Sequence, residues 1–408
     1  MHGVGAALLA VLISACGGGG GAATPNSTPT PTPPVAETSN NVIPVVVDAG
    51  PANAGYNVNR LYVDVRICRP ASTDCQTIDH VLVDTGSIGL RLLASVVKPA
   101  LNLSRVTGSA GFPLLSCVQF VDNTFAWGPL ALADIVLGGK TASSVPVQLI
   151  GDPAVGNAPG SCSIGGTAMT TTSNLGANGI LGLSLFKEDC GADCAAISHN
   201  GSYYTCSNAS CANFVGAKAS LAQQLKNPVP LFATDNNGIL IDLPAVASSS
   251  ATGLTGSLVF GIGTQSNNQP GKVLALTTAA TGYFTTVLGG QSMGNSFLDT
   301  GSNGFFFDSR LIPACLGSSL GFYCPATLTT MSATLVGANA VRASVSFSIG
   351  DASTMFGDAS MTVYPNLAGP MGDATSFDWG LPFFYGRRVW MGIEAQASSL
   401  GTGPYYAF

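Results

Sequence analysis

Two stretches of the 408-residue chain carry the same four residues, Asp84-Thr85-Gly86-Ser87 and Asp299-Thr300-Gly301-Ser302. They stand 215 positions apart (299 − 84 = 215), and each Asp follows an apolar pair, Leu82-Val83 in one copy and Phe297-Leu298 in the other. A Gly lies two residues after each Ser, at Gly89 and Gly304. One such tetrad is an ordinary turn, because Asp, Gly and Ser are what turns use. Two copies in matching contexts indicate a duplicated unit. If the fold brings the two copies together, a duplicated Asp at the end of an apolar strand allows paired-carboxyl chemistry. Two carboxyls held close cannot both ionise cheaply, so they share a proton and titrate together. The ionised member can take a proton from a water while the protonated member gives one to a carbonyl oxygen. The neighbours suit that task. Gly86 and Gly301 lack a Cβ and let two turns approach closely. The Thr85 and Thr300 hydroxyls, once buried, need partners and would lock the turns together. Ser87 and Ser302 would orient the outer carboxylate oxygens.

Little else competes as a catalytic engine. The three histidines are His2, His80 and His199, too few and too scattered for a Ser-His-Asp triad or a His-rich metal site, and no HExxH occurs. His80 reads as structural. Asp235-Asn236-Asn237-Gly238 lacks calcium-loop spacing and reads as a hairpin turn. No metal or organic cofactor is implied. A formal charge of −6 with only 15 Lys and Arg argues against nucleic acid, which needs a basic patch.

Short strands must position the two tetrads. Charged residues make up only 9% of the chain, against about 25% in ordinary soluble domains, while Gly and Pro number 51 and 24. That is the texture of many strands joined by turns. Before the first tetrad Leu61, Val63, Val65 and Ile67 alternate with Tyr62, Asp64, Arg66 and Cys68, a period of two. Before the second, GSLVFGIG and GYFTTVLGG are again short strands around turns. A Gly-interrupted apolar run follows each tetrad, Asn178 to Phe186 and Phe377 to Arg387. The length allows two cores.

These pieces, in this order, resemble the two-lobed pepsin-like aspartic proteases over residues 42–408. The resemblance implies an all-β fold, mainly β with short helices, in two pseudo-symmetric β-barrel-like lobes with a cleft between them. The lobes would span residues 41–229 and 230–408. It implies Asp84 and Asp299 as catalytic residues of an endopeptidase favoured by acid, acting on an extended peptide or protein paired strand to strand in the cleft. A closer match lies in DNNG, FGIGTQSNN and WGLPFFYGR, which resemble a family of exported bacterial proteins without an assigned activity. The chain departs from the protease pattern in three places. The segment Cys117 to Gly139 has the character of the hairpin that covers such clefts, with Asp122-Asn123 as its turn, but contains no Tyr; Phe120, Phe125 and Trp127 are the candidate substitutes. Arg91 stands seven residues after Asp84, where that family commonly has Trp, and is a further cleft candidate. The insert Lys187 to Cys211 has no counterpart and reads as a stapled surface loop, with the cleft rim as its alternative place. A catalytically inactive peptide- or glycan-binding protein on the same fold is the rival reading.

The first sixteen residues, MHGVGAALLAVLISAC, end in Ile13-Ser14-Ala15-Cys16 and resemble a bacterial lipobox. The resemblance implies a signal peptide over 1–16, a lipid on Cys16, and a Gly/Thr/Pro-rich tether over 17–40, with an ordinary cleaved signal peptide as the alternative. The chain is then a monomer leashed to a membrane in the bacterial cell envelope, facing the periplasm or the exterior. Cysteine arithmetic agrees, since 11 less Cys16 leaves ten (11 − 1 = 10), an even number for an oxidising compartment. Sequence neighbours suggest Cys68 with Cys75 and Cys315 with Cys324, and Cys117 with Cys162 is a candidate pair. Cys190, Cys194, Cys206 and Cys211 share two bridges, with zinc as the less favoured alternative.

Overall fold

The computed structural model describes residues 40–108, 111–247 and 249–408. The expected signal peptide, Cys16 and all but the last residue of the tether lie outside the described residues. The rest is almost wholly strand, and what positions the two tetrads is one strand arrangement built twice. In the first half, strand Cys75–Asp84 runs straight into its tetrad, and strand Ile88–Leu93 leaves it. Strand Gly179–Leu183 lies between them, parallel to the first, with Asp84 opposite Gly182, and antiparallel to the second, with Ile88 opposite Leu183. In the second half, strand Gln291–Leu298 runs into the tetrad and strand Phe305–Phe307 leaves it. Strand Ser376–Trp379 again lies between, parallel to the first with Leu298 opposite Trp379 and antiparallel to the second with Phe305 opposite Trp379. The Gly-interrupted runs downstream of each tetrad are these central strands. All of Gly179–Leu183 and Ser376–Trp379 is buried, as expected of strands covered on both faces.

One strand ties the halves together. Val42–Val47 pairs antiparallel with Leu254–Phe260, from Val42 opposite Val259 to Val47 opposite Leu254, and its end also pairs with Leu61–Cys68. Leu254–Phe260 continues to Gly238–Leu243 and on to Arg387–Gly392. A single sheet thus runs from the first half into the second. The fold is all-β in two pseudo-symmetric lobes, as the tetrads and the strand texture led us to expect.

The lobes fill their interiors differently. Around the first tetrad the core is aliphatic, with Val63, Val65, Val81, Val83, Leu90 and Leu181 buried. Around the second it is aromatic. Phe377 stacks on Phe307 and Trp379 with ring centroids 4.6 and 4.1 Å apart, and Phe347 meets Phe377 and Trp379 edge-on. Such pairs add about 0.5–1.5 kcal/mol each beyond their buried area.

Among the described residues five disulfides close the loops, Cys68–Cys75, Cys117–Cys162, Cys190–Cys194, Cys206–Cys211 and Cys315–Cys324. The four insert cysteines are therefore bridged. The insert is more than a stapled surface loop, because Tyr203 is fully buried and its hydroxyl donates to Asp189 at 2.5 Å. The hairpin turn expected at Asp235-Asn236-Asn237-Gly238 is also corrected. The segment bends into strand Gly238–Leu243, and its side chains form a buried polar knot. Asp235 pairs with the Lys140 ammonium at 2.5 Å and accepts from Gln265 Nε2 at 2.7 Å, while Asn237 Oδ1 accepts from Ile262 N–H at 2.8 Å. FGIGTQSNN closes the same knot, with Asn268 Nδ2 donating to the Phe260 carbonyl. These motifs hold the two segments together, since buried polar groups need partners.

Candidate active site

The tetrads meet. Each carboxyl is held by its own turn: Gly86 N–H donates to Asp84 Oδ1 at 2.8 Å and Ser87 Oγ to Asp84 Oδ2 at 2.5 Å. Gly301 N–H donates to Asp299 Oδ1 and Ser302 Oγ to Asp299 Oδ2, both at 2.8 Å. The threonines cross the interface in a reciprocal pattern. Thr300 Oγ1 donates to the Val83 carbonyl at 2.7 Å, and Thr85 Oγ1 donates to the Leu298 carbonyl at 3.1 Å while accepting from Thr300 N–H at 2.9 Å. Both are buried. Each strand end therefore hangs on the hydroxyl of the other lobe.

The glycines complete the approach. A Cβ on Gly86 would lie 2.9 Å from Asp299 Cγ, and one on Gly301 would lie 2.6 Å from Asp84 Oδ1. Each tetrad's glycine is packed against the other tetrad's aspartate. The two carboxyls stand within hydrogen-bonding reach of one another, and only 5% of Asp84 and 8% of Asp299 is exposed. Burial, then the charge of Asp84, pushes Asp299 up to about 8, against the opposing pull of the Ser302 and Gly301 hydrogen bonds. The pair holds one proton well above the pH at which an isolated carboxyl would lose it.

A cavity of about 510 Å³ opens over the pair. Apolar side chains form most of its wall, among them Leu82, Met169, Leu175, Ile180, Phe306 and Phe322. The hairpin of strands Leu114–Gln119 and Thr124–Leu137 reaches it through its turn, where Phe120, Val121, Asp122 and Thr124 line the space. Phe120 N–H donates to the Thr124 carbonyl, and Asn123 adopts φ +63°.

Of the four residues expected in the cleft, Phe120 is there and three are not. Phe125 and Trp127 lie on the far face of their strand, because side chains alternate. They are buried against the Cys117–Cys162 bridge, Tyr204 and Phe214, and Trp127 Nε1 donates to the Gly156 carbonyl at 3.0 Å. Arg91 is buried within its lobe. Its Nη1 donates to Gln148 Oε1 at 2.7 Å and to Ser116 Oγ at 3.2 Å, and its Nη2 lies 3.4 Å from Asp189 Oδ2. Burial pushes the Arg91 guanidinium down and the Asp189 carboxyl up, each opposed by the other's charge. Two departures from the protease pattern thus answer each other, since the insert supplies the anion for the arginine. His80 sits between Asp48 and Asp79, with ring nitrogens 3.3 and 2.7 Å from their carboxylates, and does not line the cavity.

Sequence reasoning missed Asp378. It lines the cavity beside Asp84 and Asp299, is 1% exposed, and its Oδ1 has no hydrogen-bond partner. The Ser302 hydroxyl lies within hydrogen-bonding reach of this carboxyl as well. Burial first, then the neighbouring Asp299, holds Asp378 well above the usual carboxylate range. A signal was present. Two residues before the central-strand glycine the first copy has Ile180 (before Gly182) and the second has Asp378 (before Gly380), an acid where the duplication predicts an aliphatic.

The family profile for DUF3443, described as a protein of unknown function, matches residues 37–408. The crystal structure of an aspartic proteinase from Irpex lacteus is similar at 14% identity and a TM-score of 0.47, covering 90% of this chain and 96% of that one. No curated protein matches the sequence.

Proposed function

This chain belongs to the DUF3443 family, which carries no assigned activity, so we propose from its own residues that it is an aspartic-type endopeptidase. One observation carries the reading: two buried carboxyls face each other across the lobes, each oriented by its own turn and packed on the other's glycine. In the proposed reaction a water sits between them. Ionised Asp84 takes its proton as the oxygen bonds to the substrate carbonyl carbon. Protonated Asp299 gives its proton to the carbonyl oxygen, yielding a neutral gem-diol. The proton on Asp84 then passes to the nitrogen as the C–N bond breaks, and Asp299 recovers a proton from the collapsing diol. Ser87 and Ser302 keep the outer oxygens oriented throughout.

The apolar cavity accepts side chains of an extended peptide or protein, with backbone pairing at strand edges. The five disulfides fit an exported protein, and among the described residues no helix is long and apolar enough to cross a membrane. From the resemblance of residues 1–16 to a bacterial lipobox we propose a monomer in the bacterial cell envelope, held by a lipid on Cys16.

The test is cleavage of a mixed peptide library from acid to alkaline pH beside Asp84→Asn and Asp299→Asn. Cleavage by the wild type, lost in both variants and declining above about pH 8 as the shared proton leaves, supports the reading. No cleavage at any pH by a folded protein overturns it in favour of a cleft that only binds.

A further inference from the structure

Asp378 is not needed by the strand that carries it. Its counterpart in the first lobe, Ile180, fills the same place in the duplicated strand arrangement, paired with Arg91 as Asp378 is paired with Phe306. An aliphatic side chain therefore satisfies this position in this fold. A carboxyl there carries the cost of leaving water, which is several kcal/mol for an isolated ion, and the lobe offers no cation to offset it: among the described residues no ion pair involves Asp378. Ser302, whose hydroxyl lies within its reach, has a single hydroxyl hydrogen and directs it to Asp299 Oδ2. Burial and then the neighbouring Asp299 raise the proton affinity of the Asp378 carboxyl in the free protein.

The cavity around it is lopsided in charge. Among the described residues four carboxyls line it, Asp84, Asp122, Asp299 and Asp378, against one cation, Arg60. Arg60 Nη1 is directed to the Leu175 carbonyl at 3.4 Å on the wall formed by the first lobe. Asp122 is occupied by its own turn, accepting from Thr124 N–H and Oγ1, and the catalytic pair is held by its tetrads. Asp378 lines the same cavity with a buried oxygen, Oδ1, that no hydrogen bond engages, among mostly apolar side chains such as Leu82, Ile180 and Phe306. An apolar wall with a carboxyl set in it suits a long aliphatic stem with a cationic head, which buries its methylenes and needs an anion at its tip.

We propose that Asp378 is a specificity-determining residue that accepts the cationic side chain, lysine or arginine, of a substrate residue flanking the cleaved bond. The inference rests on the endopeptidase reading of the same site, because Asp378 is one hydroxyl away from Asp299 and only a side chain beside the reacting carbonyl reaches it. On binding, the Asp378 proton passes to solvent and the carboxylate pairs with the incoming cation.

The experiment separates the two readings by measuring binding without cleavage. Peptides carrying one reduced, uncleavable bond, with either lysine or norleucine flanking it on each side in turn, are titrated calorimetrically into the full chain and into Asp378→Asn and Asp378→Ile. Norleucine keeps the stem and removes the charge. The expected result is at least about tenfold tighter binding of one lysine peptide by the wild type, equivalent to ~1.4 kcal/mol, with the ratio falling to about one in both variants. Equal binding of lysine and norleucine peptides by the wild type, a preference that survives in both variants, or no binding of any peptide overturns the proposal. A lysine preference in binding, without cleavage of the corresponding natural peptides, would remove the endopeptidase reading and leave Asp378 as the selector of a binding cleft.

Discussion

Gly301 faces Asp84 across the lobe interface so closely that a Cβ on it would stand 2.6 Å from Asp84 Oδ1. Nothing in the backbone demands glycine there, since neither Gly86 nor Gly301 has a positive φ. The demand comes from the opposite carboxyl. Alanine at position 301 pushes the two carboxyls apart, and a displacement on the order of 1 Å can cost about 100-fold in rate. Overpacking of this kind destabilises by ~1–3 kcal/mol. Gly301→Ala and Gly86→Ala should both cut cleavage about 100-fold while the protein still unfolds cooperatively. Near-normal turnover by either would show that the carboxyls do not act as a tight pair.

The pair should also mark the pH dependence of stability. In the unfolded chain an Asp titrates near ~3.9, and in the fold Asp299 is pushed up to about 8. Folding therefore favours the protonated form. Its contribution is complete below the unfolded value and is lost as pH rises towards the folded one. Asp299→Asn carries no charge to bury, so it should be more stable than the wild type at pH 8 by at least ~1 kcal/mol, since even a tenfold difference in proton affinity between fold and unfolded chain corresponds to ~1.4 kcal/mol. At pH 3.5 the two should be close. Thermal unfolding of both proteins across that window decides the matter, and parallel curves would mean that the carboxyl is not held up by its surroundings.

Thr300 joins the lobes through a hydroxyl rather than through its methyl group. Thr300→Val keeps the shape but leaves the buried Val83 carbonyl without its donor, a loss of ~1–3 kcal/mol. Thr300→Ser restores the hydroxyl and should recover most of the loss. Denaturant titration of the three proteins reads this directly, and a valine variant as stable as the wild type would assign no weight to the crossing.

Arg91 and Asp189 form the buried pair that anchors the insert. Arg91→Met strands the Asp189 carboxyl, with an expected cost of ~3–5 kcal/mol. Arg91→Met combined with Asp189→Asn removes both charges and should be more stable than the single variant. A double-mutant cycle in urea measures the coupling. Additive effects would mean that the insert is held by Tyr203 and packing alone.

Much of the site was legible in one dimension. The tetrads repeat, and the chemistry of Asp, Gly, Thr and Ser is a property of the residue types, so the roles open to the carboxyls, glycines and serines were legible, while their meeting was implied only by the resemblance to pepsin-like proteases. The even cysteine count likewise forecast five bridges. The side-chain directions in the hairpin were not legible. Phe120, Phe125 and Trp127 look equivalent as aromatic residues near a turn, yet strand alternation and the turn's position send one to the cavity and two to the Cys117–Cys162 cluster.

Arg91 and Asp378 show the same limit from opposite sides. Arg91 lies seven residues from Asp84 and looked like a cleft residue, but its partner Asp189 is 98 positions along the chain, and only folding shows that the two charges cancel. Asp378 lies inside an apolar run and looked like part of a strand, but it is 79 positions from Asp299 (378 − 299 = 79) and has no cation to meet it. By itself the sequence determined which groups could do chemistry, because reactivity begins with residue type. Only the tertiary structure decided which of them are paired and which face the cavity, because burial and charge depend on neighbours that the chain brings together from far apart.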